Sequence, residues 1–173
     1  MKTLLATAFA ALALAAPAQA FTQSDARAWG ASFREAGVRY ISKEDCAPNL
    51  SAFYEPKTRS IHVCMTNIHT VELYGEALAH EAIHAAQHCV GEVLGVDAPL
   101  PIQTLLAQTN PKLAFEWQLH VNNAVKGKSD LVAKSMRVNT RGLTVSLERE
   151  AYALESNPAT ALRMFRAACL GSR

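Results

Sequence analysis

The segment His80-Glu81-Ala82-Ile83-His84 has the residue types and the spacing that bind a zinc ion. On an α-helix, residues four apart lie on the same face, with about 5–6 Å between their Cβ atoms. Two imidazoles placed in this way can both reach one zinc ion, at about 2.1 Å each. Glu81 is then positioned to take a proton from a water on the metal. The segment therefore predicts a zinc-activated water with Glu81 as the general base.

The sequence around these residues favours a metal site over two histidines that make ordinary core or surface contacts. A helix is predicted from about Val71 to Cys89, with Thr70 as its cap and an end near Gly91, so the histidines lie inside it. Alanines flank both histidines and permit other elements to pack closely against this helix.

A catalytic zinc site needs a third protein ligand and one open coordination position. A later predicted helix, from Leu143 to Ser156, carries Glu148-Arg149-Glu150-Ala151-Tyr152. With the histidine segment, it resembles the gluzincin branch of the zincin metallopeptidases, in which a downstream helix supplies a glutamate in a Glu-x-x-Ala-acidic pattern. The resemblance implies that Glu148 is the third metal ligand. Tyr152 departs from the pattern, because it stands where an acidic residue usually steadies a metal-bound histidine.

Three neighbouring residues extend or compete with this assignment. Tyr152 follows Glu148 by one helical turn, and a tyrosine hydroxyl can stabilise a developing oxyanion, so we predict a catalytic or supporting role for it. Glu150 is the main alternative ligand; it lies about 200° around the helix from Glu148, so only one of the two can face the metal. Glu155 is a further alternative. The simpler interpretation of all three glutamates is a solvated acidic face.

The resemblance also covers the strand-turn-strand at Phe53–Val63, which precedes the metal helix in small zincins. In such enzymes the edge strand aligns an extended substrate through backbone hydrogen bonds. These features predict a zinc metallopeptidase that acts on peptides or proteins. The alternative is a weak or inactive zincin-like binding module that recognises a partner polypeptide at the hairpin edge.

The remaining histidines are predicted to lie outside the metal site. His88 continues the four-residue step, but about 12 Å of helix separates it from His80, so we expect it at the surface or at a pocket edge. His62, His69 and His120 are isolated, and each is expected to be structural. Of these, His120 is the one that could donate to a transition state.

The first twenty residues have the pattern of a cleaved signal peptide. Lys2 is followed by an apolar run from Leu4 to Ala16, which is too short to span a bilayer, and then by Pro17 and Ala18-Gln19-Ala20. We therefore expect cleavage after Ala20, a secreted or periplasmic location, and no stable membrane insertion of the mature chain.

The four cysteines, Cys46, Cys64, Cys89 and Cys169, all follow this segment. An even number in an oxidising compartment predicts two disulfides. Of the three possible pairings we favour Cys46–Cys64, which closes a short loop, together with Cys89–Cys169, which joins the central helix to the last one. A cysteine-ligated metal is disfavoured because no Cys-x-x-Cys pair occurs.

Composition is that of one globular domain, predicted at residues 21–173. Half of the 173 residues are hydrophobic and 18% are charged, which excludes a mainly disordered chain. With 17 basic and 15 acidic residues and no dense basic stripe, nothing indicates a nucleic-acid partner. The predicted elements give an α+β class: a mostly helical, zincin-like domain with a small antiparallel sheet before the metal-binding helix. Oligomeric state is not indicated.

Overall fold

The computed structural model describes residues 21–138 and 145–171. The predicted signal peptide and its cleavage site lie outside the described residues. Seven α-helices and three strands are described within these ranges, which confirms the predicted α+β class. The helices are α1 (Gln23–Ala36), α2 (Val71–Val93), α3 (Ile102–Thr109), α4 (Pro111–Ala124), α5 (Ser129–Val138), α6 (Val145–Leu154) and α7 (Pro158–Cys169).

Helix α1 begins and ends at the residues that its local sequence specifies. The Thr22 hydroxyl accepts from the backbone N–H of Asp25, and the Asp25 carboxylate accepts in return from the Thr22 N–H at 2.8 Å. This reciprocal pair satisfies two amide groups that the first turn leaves without helical partners. At the other end Gly37 adopts the left-handed conformation, with φ of 70°, which a glycine reaches without strain.

The sheet is mixed, whereas the sequence predicted only an antiparallel hairpin. Strand β2 (Ala52–Glu55) pairs antiparallel with β3 (Ser60–Cys64), as expected, but β1 (Arg39–Lys43) adds to the other side of β3 in parallel. Strand β3 is therefore central, and all five of its residues are buried. The sequence of β3 alternates between apolar and polar residues, as in a half-buried strand. The structure nevertheless buries the polar His62 as well.

Helix α2 is the central element, and it packs against the sheet and against α3, α6 and α7. Its alanines allow these close approaches: Ala79, Ala82, Ala85 and Ala86 are completely buried. The helix continues two residues past Gly91, where we had predicted an end. Gly91 serves instead as a contact point, since a Cβ atom there would lie 1.9 Å from the carbonyl oxygen of Ala98.

Among the described helices, none has both the length and the apolar composition needed to cross a bilayer.

Both predicted disulfides are confirmed. Cys46–Cys64 fastens the loop after β1 to the end of β3, and Cys89–Cys169 joins α2 to the end of α7. The two bonds together use all four cysteines, so none is free.

The two disulfides should stabilise the fold unequally. Their sequence separations are 18 and 80 residues, and a bond that closes a longer loop removes more entropy from the unfolded chain. We expect removal of the Cys46–Cys64 pair to cost about 3 kcal/mol of unfolding free energy, and removal of Cys89–Cys169 about 4.5 kcal/mol. Urea unfolding of the two double Cys→Ala variants measures both values. A larger loss from the short loop would contradict the loop-entropy argument.

Candidate metal centre

Two helices bring His80, His84 and Glu148 together. The two histidines lie on one face of α2, with ring centroids 5.0 Å apart, and Glu148 comes from the first turn of α6, which packs against them. Glu148 Oε2 is 3.6 Å from His80 Nε2, and Glu148 Oε1 is 3.5 Å from His84 Nε2. One nitrogen or oxygen from each residue lies within 4.8 Å of the other two.

This donor set fits a zinc ion. Metal–ligand distances near 2.1 Å in a tetrahedron separate neighbouring ligand atoms by about 3.4 Å, close to the two nitrogen–oxygen distances found here. Two imidazoles and one carboxylate are also the ligands of open catalytic zinc sites, which leave one position for solvent. Glu148 is fully buried, and each of its carboxylate oxygens lies beside one of the two rings. His80, His84 and Glu148 could therefore hold a metal ion.

A surplus of negative charge surrounds His80. Its Nδ1 lies 3.1 Å from Glu155 Oε2, on the side of the ring opposite Glu148. Burial lowers the pKa of His80, but the contacts with Glu148 and Glu155 outweigh burial and raise the pKa to about 10. Without a metal, the protonated ring compensates the carboxylates. A bound cation would supply the same compensation.

Glu155 is itself held in place by Lys128. The Lys128 ammonium donates to Glu155 Oε1 at 3.0 Å and to the backbone carbonyl of Tyr152 at 3.1 Å. Burial opposes ionisation of Glu155, but its contacts with His80 and Lys128 prevail and lower its pKa. Glu155, which we had considered only as a less favoured metal ligand, lies behind His80, on the side away from Glu148.

Glu150 does not lie at the imidazoles. Its two carboxylate oxygens accept hydrogen bonds from the backbone N–H groups of Ile102 and Gln103, from Trp117 Nε1 and from Gln87 Nε2, at 2.8–3.0 Å. Burial raises its pKa, and these four donors act against that rise. Glu150 therefore anchors the beginning of α3 to α6, and Glu148 is the one of the two glutamates beside the histidines.

Tyr152 contacts the site through its ring. The ring meets His80 edge-on, with centroids 4.6 Å apart, whereas the hydroxyl donates to the carbonyl of Leu131 at 3.4 Å. In this arrangement the ring limits the rotation of His80. The predicted oxyanion role of its hydroxyl stays a prediction.

Glu81 is buried on α2, one residue after His80. It lies close enough to His80 to raise the pKa of that ring by its charge. Its predicted role as general base stays a prediction.

The other histidines lie elsewhere. His88, predicted at the surface or a pocket edge, is instead buried, because the Tyr54 hydroxyl of β2 approaches its Nδ1 at 2.7 Å. His62 stacks on Phe53 at 4.4 Å between centroids, and His120 packs against Trp117 at 5.9 Å. His69 is exposed.

Sequence reasoning missed Gln87. This fully buried residue accepts a hydrogen bond from His84 Nδ1 at 2.9 Å through its Oε1. A signal for it was available, since a residue three positions after a histidine lies on the same helix face.

The fold and the site thus define an α+β domain with a largely buried His–His–Glu group suited to a metal. Part of the chain is also similar to known proteases. The mitochondrial inner membrane protease ATP23 homolog of Homo sapiens is 38% identical over 55 residues, which make up 32% of this chain and 22% of that protein. The homologs of Danio rerio and Xenopus laevis are 36% and 34% identical over segments of the same length.

The matched segment spans only about a fifth of the length of these relatives. No protein-family profile matches the chain, and no solved structure is significantly similar to it. Each of these relatives is named as a protease.

The same relatives contradict the predicted signal peptide and the secreted or periplasmic location, because each is named as a protease of the mitochondrial inner membrane. The prediction failed because it rested on one lysine and a short apolar run. The two disulfides still indicate that the folded domain occupies an oxidising environment.

Proposed function

We propose that this protein is a zinc-dependent metallopeptidase that hydrolyses peptide bonds. The observation that carries the proposal is the convergence of His80, His84 and Glu148, whose nitrogen–oxygen distances suit a tetrahedral ion. The similarity to named proteases supports the reaction class independently.

Three residues would hold the metal and one would move protons. His80, His84 and Glu148 would supply the ligands, and a zinc ion, when bound, would supply Lewis acidity to water and to a substrate carbonyl. Glu81, beside His80, accepts a proton from the attacking water and returns it to the leaving amine. Burial of Glu81 and Glu148 favours this chemistry, since a site of low dielectric strengthens each charge interaction.

The edge of the sheet is the proposed site for the substrate backbone. Strand β2 lies at one edge, next to β3, and Tyr54 on β2 contacts His88, one helical turn beyond His84. An extended peptide that pairs with β2 would therefore lie beside a strand that packs against the helix of His80 and His84. Backbone pairing of this kind holds a chain without demanding a particular sequence.

Metal analysis of the purified protein tests the proposal. We expect the wild type to carry about one zinc per chain and to cleave an unfolded protein substrate, and we expect His84→Ala to do neither, because two ligands leave the ion exposed to exchange. His69→Ala is the matched control, since His69 is exposed and outside the group. Zinc in His84→Ala equal to wild type would refute the site. Zinc in the wild type without any hydrolysis would favour the binding-module alternative.

A further inference from the structure

Gln87 uses its whole side-chain amide inside the protein. It lies on α2, three residues after His84, and is fully buried. Its Oε1 is 2.9 Å from His84 Nδ1, and its Nε2 is 2.9 Å from the carbonyl oxygen of Leu147 and 3.0 Å from Glu150 Oε2.

The chemistry of these partners determines which way the amide points. A backbone carbonyl only accepts hydrogen bonds, so the amide group that faces Leu147 must be the NH₂. The amide oxygen is then left for His84, and because that oxygen can only accept, His84 Nδ1 must carry a proton. The lone pair of a neutral His84 ring is consequently on Nε2, the atom that lies 3.5 Å from Glu148 Oε1.

The same amide also reaches the second helix of the site. Leu147 immediately precedes Glu148 on α6, so one side chain contacts both a histidine of α2 and the backbone beside the carboxylate. Glu150 receives the second amide hydrogen and is bound in turn to the N–H groups of Ile102 and Gln103. Hydrogen bonds thus connect His84 to the beginning of α3.

We infer that Gln87 is a positioning residue for the metal centre: it selects the His84 tautomer whose Nε2 is free for zinc and fixes Glu148 relative to that nitrogen. The inference rests on the proposed function, because it presupposes that His84 and Glu148 bind zinc. Loss of Gln87 would allow the His84 ring to rotate and would leave the Leu147 carbonyl without this donor. Outer partners of this kind typically contribute ten- to a hundredfold to metal affinity.

Zinc affinity measured by chelator competition tests the inference. Gln87→Met keeps the length of the side chain and removes the amide. We expect it to bind zinc about ten- to a hundredfold more weakly than the wild type and to change the visible absorption of the Co²⁺-substituted protein. Ser32→Ala is the control: Ser32 is equally buried and hydrogen-bonded, to Ala28 and Arg166, and belongs to α1. It should lose stability and keep both metal properties.

A second measurement holds even if Gln87→Met does not fold. In the zinc-loaded wild type, ¹⁵N-resolved NMR of the His84 ring should show a slowly exchanging proton on Nδ1 and the metal on Nε2. The opposite arrangement would overturn the inference, and so would a folded Gln87→Met with wild-type affinity and an unchanged Co²⁺ spectrum. Failure of the wild type to bind zinc would overturn the proposed function, which is a different result.

Discussion

Glu81→Gln should bind zinc like the wild type and lose peptide hydrolysis by about 10²–10⁴-fold, the contribution of a positioned general base. The substitution keeps the size of a buried side chain on α2 and replaces its proton acceptor with an amide that has no useful basicity. Because His80, His84 and Glu148 are untouched, the metal should stay. Hydrolysis of an unfolded protein substrate and the zinc content, both measured on the same sample, check the expected loss of activity and the expected retention of metal.

Glu72→Gln is the matched control for that experiment. It makes the same chemical change on the same helix, at an exposed position in the first turn. We expect full activity and full metal content from it. Glu81→Gln with hydrolysis within threefold of the wild type would remove Glu81 from the mechanism, and Glu81→Gln without zinc would show that the residue acts on the metal instead.

Features of the fold that depend on neighbouring residues were predictable from the sequence. The capping pair of Thr22 and Asp25 lies three residues apart, and Gly37 ends α1 through its own backbone conformation. The parallel pairing of β1 with β3 was not predictable, because it depends on contacts about 20 residues apart and on the burial of β3 on both sides. The role of Gly91 was missed for the same reason: its partner, Ala98, belongs to the segment after the helix.

The residues of the candidate site were likewise predictable from the sequence only where they are neighbours on one helix. Helical periodicity alone predicts that His80 and His84 lie on one face of a helix. Glu148 could be predicted as the third ligand only from the resemblance to gluzincins, because no spacing rule relates residues on two different helices. The position of Glu155 behind His80 depends on how α6 packs against α2. Glu150 was ambiguous in the sequence because its partners, among them Trp117 and Ile102, lie 33 and 48 positions away.

Glu148→Gln and Glu150→Gln should differ sharply in their effect on zinc affinity, although both remove one buried carboxylate from α6. In Glu148→Gln the third ligand becomes a neutral amide, and we expect zinc affinity to fall by more than about a hundredfold, beyond what changes outside the ligand set produce. With Glu150→Gln we expect affinity within about tenfold of the wild type, since His80, His84 and Glu148 remain. Chelator competition on the two variants measures the difference.

Both substitutions should also destabilise the metal-free protein. Each oxygen of Glu150 accepts two hydrogen bonds, so an amide NH₂ in place of either oxygen would point its own hydrogens at two N–H donors. That mismatch should lower the unfolding free energy of the metal-free protein by about 2–3 kcal/mol. Glu148→Gln removes the carboxylate that pairs with the protonated His80 ring in the metal-free protein, so it should be destabilising as well. Equal metal loss in both variants would mean that α6 is needed only as a packed helix, and the assignment of Glu148 as ligand would fail.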